Sequence, residues 1–262
     1  MELPIKNKEG IVQEPRRMFI FSHPKIGKTS NLMALPNNLL IDLEDGADFY
    51  PGMSVNVKRI ASEQGKTIFD VLKDVKDSIE AANVKNGKPV YDFITIDTTT
   101  ILEQLARELG TTLYKNTLIG KAFKGSDVVA ELANGSGYEW LRQGFDKIYK
   151  GFYPLANKCL ILAGHVKLAS INKDGKDIQA RDVQLTGKLK MAVCSDADAI
   201  GFLYRNKETN QNILSFRSSE QDLATGARLQ YLSGRDIVIS EKKEDGTVVT
   251  HWEEIFPSLK VK

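Results

Sequence analysis

The chain has 262 residues, 42% of them hydrophobic and 27% charged, with 36 basic residues against 34 acidic for a net charge of +2. That is ordinary for a globular protein with a sizeable core, and too balanced to announce a nucleic-acid or membrane partner by total charge. No apolar run approaches the roughly 18 residues that cross a bilayer, and Met1 to Lys6 lacks the apolar core of a signal peptide, so no membrane contact and a cytoplasmic location are expected. Cys159 and Cys194 lie in apolar surroundings with no second thiol at metal-ligand spacing, which predicts buried reduced thiols.

In chain order, residues 1–15 are a polar lead-in with two prolines. The apolar run Phe19-Ile20-Phe21 predicts a short buried strand, and Ser22-His23-Pro24-Lys25-Ile26-Gly27-Lys28-Thr29-Ser30 follows it, ahead of a helical pattern from Asn31 to Leu35. Strand, loop and helix in that order make a phosphate-cradling loop. Backbone N–H groups surround the phosphates, Lys28 reaches the β/γ oxygens and the Thr29 hydroxyl ligates Mg²⁺. Ser22 stands where the pattern G-x-x-x-x-G-K-[ST] has its first glycine, a departure that matters only if that position needs a glycine-only φ.

Leu39-Leu40-Ile41 predicts a second strand, which delivers the acidic run Asp42-Leu43-Glu44-Asp45. In open α/β sheets ligands bind at the carboxyl ends of the strands, so a carboxylate there could orient and deprotonate an attacking water. Acidic residues at loop starts are also plain helix caps. Val55 to Ile60 alternates like a strand, and Thr67 to Val84 has helical apolar spacing. Asp92-Phe93-Ile94-Thr95-Ile96-Asp97-Thr98 is a β-branched and aromatic strand whose terminal Asp97 reads as Walker B chemistry, a carboxylate holding the Mg²⁺ shell.

Ile101 to Leu109 predicts a helix stopping at Gly110. Gly110 to Ser126 then carries Lys115, Lys121 and Lys124 without an acidic residue, together with Tyr114 and Phe123. Such a stretch suits single-stranded nucleic acid, or is a solvated connection. Tyr138 to Tyr153 is a helix with an apolar stripe. Cys159 to Ala163 is another core strand, ending at His165, a polar group placed to sense a γ-phosphate or a structural histidine. Val166 to Lys190 reads as a basic loop, its six basic residues (Lys167, Lys173, Lys176, Arg181, Lys188, Lys190) set against three acidic. Ala197 to Tyr204 and Ile213 to Phe216 are strands joined by a hairpin loop; Arg217 and Arg228 follow, and Trp252 to Leu259 forms a terminal helix or cap.

This order of elements resembles the RecA core. The resemblance implies an α/β fold with a mostly parallel central sheet flanked by helices and antiparallel strands toward the C-terminus, in a single domain over residues 1–262 with 236–262 as a C-terminal extension. It further implies Glu44 as the general base, Tyr50 as an adenine platform and His165 as a variant of the family's sensor amide. A histidine there is similar to phage-encoded RecA-like nucleotide-binding AAA-like proteins, the Sak-type single-strand annealing ATPases. By that similarity the cofactors are ATP and Mg²⁺, and the site comprises Ser22, His23, Pro24, Lys25, Ile26, Gly27, Lys28, Thr29, Ser30, Tyr50 and Asp97. DNA contacts fall at Lys115, Lys121, Lys124, Lys167, Lys173, Lys176 and Arg181. A basic residue from a neighbouring subunit is drawn from Lys188, Lys190, Arg217 and Arg228. Single-stranded DNA, a single-strand-binding protein and a homo-oligomer, ring or filament, are the implied partners, in the cytoplasm of a bacterial host. A nucleotide-gated loader or regulatory ATPase that switches a protein interface in DNA replication is the alternative. A metabolic kinase is disfavoured, because no arginine-rich lid follows.

Overall fold

The structure is a computed structural model describing residues 10, 13–173, 176–219, 222, 224–243, 245 and 247–260, with backbone alone for 171–173, 176 and 178. In chain order the elements are β1 (Arg17–Ser22), α1 (Lys28–Met33), β2 (Asn38–Asp42), β3 (Met53–Asn56), α2 (Val57–Gln64), α3 (Ile68–Asn86), β4 (Phe93–Asp97), α4 (Thr99–Lys115), α5 (Val128–Glu131) and α6 (Gly137–Phe152). They continue with β5 (Cys159–Lys173), β6 (Lys176–Val183), α7 (Gly187–Asp196), β7 (Ala199–Arg205), β8 (Asn212–Ser215), β9 (Gly226–Ala227), β10 (Asp236–Lys242) and β11 (Val248–Thr250).

The main sheet runs β11-β10-β8-β7-β1-β5-β4-β2-β3, with β6 on β5 and β9 on β7. Pairings from β7 to β3 along this path are parallel, and β8, β10 and β11 join antiparallel. This is the α/β architecture expected, with its antiparallel strands toward the C-terminus. The apolar runs are continuous because both faces are buried. Phe19, Phe21, Leu39, Ile41, Ile94, Ile96, Leu160 and Leu162 pack on one face under the larger helices. The alternate residues Met18, Ile20, Leu40, Phe93, Ile161 and Ala163 pack on the other, with α1 and the C-terminal segment. There Trp252 donates its indole N–H to the Asn31 carbonyl at 3.0 Å, tying the end of the chain to the helix that follows the phosphate-loop motif.

Three local expectations need correction. Val55 to Ile60 splits into the end of β3 and the start of α2, because the Asn56 side chain accepts from the Arg59 N–H and caps a helix there. Helix α4 does not stop at Gly110 but continues to Lys115. Gly110 serves a close helix crossing instead: a Cβ on it would lie 2.5 Å from the Trp140 carbonyl oxygen, and one on Gly144 of α6 would lie 2.2 Å from that of Ala106. The basic stretch from Val166 is not a loop. Strand β5 runs on past the buried sheet and pairs with β6 from Val166↔Val183 to Lys173↔Lys176, forming a projecting hairpin arm. Trp252 to Leu259, expected as a helix or cap, is a pair of short 3₁₀ turns that packs Trp252, Ile255 and Phe256 against the core as a cap.

The crossing of α4 and α6 makes a clear stability prediction. In an open helix Gly→Ala gains up to about 1 kcal/mol of propensity, but at Gly144 the methyl meets backbone that cannot swing aside. Gly144→Ala is therefore expected to destabilise by about 1–3 kcal/mol, read as a lower midpoint in urea unfolding with an unchanged slope. An unchanged or raised midpoint would refute the tight crossing.

Candidate functional site

The motifs found in the sequence meet at the carboxyl edge of the sheet. Ser22 closes β1 in register with His165 of β5 on one side and Leu203 of β7 on the other. Being extended, it has no need of a glycine φ; positive φ falls instead on Lys25 (65°) and Gly27 (102°), where the loop turns into α1. Serine is thus compatible with the first position of the loop. Ser30 Oγ donates to the Gly27 carbonyl at 2.9 Å, and the Asn31 amide donates to the same oxygen at 2.7 Å, which fixes the turn.

Asp97 ends β4, separated from β1 by β5. Its carboxylate is ion-paired with Lys28, and Thr29 Oγ1 donates to its other oxygen at 2.9 Å. Lys28 and Asp97 are both buried, and Thr29 is half-buried. The Asp97–Thr98 peptide is cis.

The acidic cluster after β2 separates into distinct roles. Asp42 is buried and accepts from the backbone N–H groups of Glu44 and Asp45, each at 2.9 Å, and of Ala47 at 2.7 Å, so it organises the turn. Asp45 is held by the Asn56 amide, and Asp48 by Arg59. Glu44 alone of this group points across the edge, its two carboxylate oxygens 3.1 and 3.2 Å from His165 Nε2. A carboxylate only accepts, so that ring nitrogen carries the proton and donates.

The residues present fit a magnesium nucleotide. The Thr29 hydroxyl and the Asp97 carboxylate form a hard-oxygen pair beside a lysine, which is the share a protein contributes to Mg²⁺ when substrate phosphates and water supply the rest. Among the described residues there is no group of three or more His, Cys, Asp or Glu that could hold a metal. Ser22 Oγ, Thr100 Oγ1 and His165 Nδ1 are buried at this edge without a hydrogen-bond partner among the described residues, and buried polar atoms of that kind call for one. Beside the loop, a cleft of about 580 Å³ is bounded by Gly27, Ser30, Tyr50, Arg205, Asn212 and Ser240. Tyr50 is 41% exposed at its mouth.

The expected DNA-contact and trans-acting residues are distributed unevenly. Lys115, Lys121 and Lys124 are exposed and carry no ion pair among the described residues; Lys115 lies over the Phe123 ring, which meets Tyr114 edge-on. Lys167 donates to the Leu185 carbonyl at 3.0 Å, and Arg181 is ion-paired with Asp222 at 2.7 Å while lying over the Phe202 ring. The side chains of Lys173 and Lys176 lie outside the described residues. Lys190 pairs with Asp182 at 2.7 Å, Arg217 with Asp236 at 2.9 Å and Arg228 with Asp198 at 3.2 Å, leaving Lys188 exposed without an ion pair among the described residues. Both cysteines are free; Cys159 is buried as expected, whereas Cys194 is only half-buried, and burial pushes the Cys159 thiol well up and that of Cys194 to about 11. The sequence reading missed Arg205, which reaches the loop from β7. A lone basic residue before a hairpin turn gives no signal until register brings β7 beside β1.

No curated protein compared with the chain matches it. A crystal structure of the RadB recombinase matches with a TM-score of 0.40 at 12% identity, covering 90% of this chain and 91% of that one. The sequence profile of the family described as AAA domain matches residues 14–234, well over half the chain and the whole of the edge just described. The chain belongs to that AAA-domain family, as a P-loop ATPase domain.

Proposed function

We propose that the chain binds and hydrolyses ATP as a RecA-type protein acting on single-stranded DNA, in phage recombination or annealing of the Sak type, as a homo-oligomer working alongside a single-strand-binding protein in the bacterial cytoplasm. The observation that carries this reading is the continuity of β5. One strand holds His165 in register with Ser22 and in contact with Glu44, then runs without a break into the arm that bears Lys167 and Lys173. A change at the phosphate edge is passed to the arm through covalent backbone, the kind of two-state element a nucleotide switch requires.

When bound, ATP with Mg²⁺ supplies the phosphoanhydride and the charge that polarises it. Lys28 would leave Asp97 to neutralise phosphate oxygens, Thr29 and Asp97 would hold the metal's shell, Glu44 would take the proton of the attacking water, and His165 would lose or keep Glu44 according to the phosphate state. Tyr50 offers the base a stacking face at the cleft.

The test is turnover with and without single-stranded DNA. Single-stranded DNA is expected to raise the ATPase rate, and the triple variant Lys115→Ala, Lys121→Ala, Lys124→Ala to weaken DNA binding about tenfold or more across sequences with a shallower salt dependence. Absence of both stimulation and low-salt binding would sink the DNA reading. One feature favours the loader alternative: Leu118 and Ile119, beside those lysines, are 87% and 83% exposed, an apolar tip suited to a protein partner. Assembly with such a partner in ATP without DNA, seen by gel filtration, would transfer the proposal to it.

A further inference from the structure

Arg205 closes β7 and is exposed, yet it is anchored. Its Nη2 donates to the Ile26 carbonyl at 3.2 Å and its Nε to Asn212 Oδ1 at 3.2 Å, while Asn212 Nδ2 donates to Ser240 Oγ at 3.0 Å. A Cβ on Gly27 would sit 3.3 Å from Asn212 Nδ2 and 3.4 Å from Arg205 Nη2, so both groups lie against the glycine where the loop enters α1. Arg205's two partners here, the Ile26 carbonyl and the Asn212 amide oxygen, are neutral, and no carboxylate pairs with it among the described residues. A guanidinium has five N–H donors in a rigid fork, so this one keeps its charge and most of its donors for the cleft it lines. Lys190, Arg217 and Arg228 have committed their charge to carboxylates. The acid in the same cleft, Glu241, accepts from the Gln211 amide at 3.1 Å and faces His251.

We infer that Arg205, braced by Asn212 and Ser240, is a phosphate-binding residue supplied by the same chain, contacting the phosphates nearest the nucleoside. The inference rests on the nucleotide-site reading above. Lys28 points from Gly27 toward Asp97, on the metal side; Arg205 stands on the opposite side of the same glycine, with Ser30 and Tyr50. Its charge therefore acts on a part of the ligand that ADP and ATP share, and the nucleoside end of the site needs no neighbouring subunit.

The test is equilibrium binding of fluorescent ADP and of a non-hydrolysable ATP analogue, with adenosine as competitor, over a range of protein concentrations. Arg205→Ala is expected to weaken ADP and the ATP analogue alike, by tenfold or more, with adenosine unchanged. Arg205→Lys should recover part of the loss, and Asn212→Ala should show a smaller version of it. Unaltered ADP binding by Arg205→Ala, with binding lost in Lys28→Ala, would overturn the role of Arg205 and leave the site standing. Wild-type binding by Lys28→Ala would instead overturn the nucleotide site itself. A loss confined to the ATP analogue and dependent on protein concentration would make Arg205 a residue acting between subunits, against the inference.

Discussion

Glu44→Gln should bind ATP as tightly as the unaltered chain and turn it over at least 10²-fold more slowly, since a positioned general base contributes about 10²–10⁴. Glutamine fills the same volume, and its carbonyl oxygen can still accept from His165 Nε2–H, now 3.1 Å from a Glu44 oxygen; what is lost is the ability to take a proton. The rival carboxylates are poorly available. Asp42 already serves three backbone N–H groups, so its oxygens are occupied in holding the turn. Asp45 sits at φ 71° with its carboxylate held by Asn56. Measured turnover near that of the parent chain, with binding intact, would reassign the base to Asp45, the less occupied of the two. Binding lost together with turnover would instead mean that Glu44 holds the edge together rather than acting on water.

The parts of the fold legible in the sequence are those whose surroundings are apolar on both sides. Strands β1, β2, β4, β5 and β7 announce themselves as unbroken apolar runs because helices cover one face of the sheet and α1 with the C-terminal segment covers the other, and their carboxyl ends bring Lys28, Glu44, Asp97 and His165 to one edge. Beyond that edge the signal fails for a physical reason. Past His165 the second half of β5 leaves the core, so its residues no longer need to be apolar, and a pairing strand reads as a charged loop. Gly110 misleads in the opposite way. A glycine in a helical pattern is read as a stop, yet here it lets α6 approach, a requirement set by a residue thirty positions away in the sequence. The reach of Arg205 to Ile26 is likewise a product of strand order, which no local pattern encodes.

Asp97→Ala should lower the stability of the nucleotide-free protein by up to about 3–5 kcal/mol, the scale for removing one partner of a buried ion pair, and should remove the protection that magnesium nucleotide confers. Lys28 is 8% exposed and its ion-pair partner is Asp97, so the truncation leaves an ammonium with little water and no counter-charge, and strips Thr29 of its acceptor. At ~2–4 °C per kcal/mol for a chain of this size, the thermal midpoint falls by roughly 6–20 °C. Asp97→Asn separates the two roles, since its one carbonyl oxygen keeps an acceptor for either Lys28 or Thr29, which now contact different carboxylate oxygens, while the charge is removed. It should cost less stability than alanine, and should still lose nucleotide protection, because a neutral amide does not replace a carboxylate in the shell of Mg²⁺. Combining Asp97→Ala with Lys28→Met removes both charges, so the double variant should be more stable than the sum of the single changes implies, by a coupling on the order of 1–3 kcal/mol. Strict additivity in that cycle would show that Lys28 already finds solvent without Asp97. Nucleotide protection that survived Asp97→Asn would remove Asp97 from the metal site, whatever the outcome for the fold.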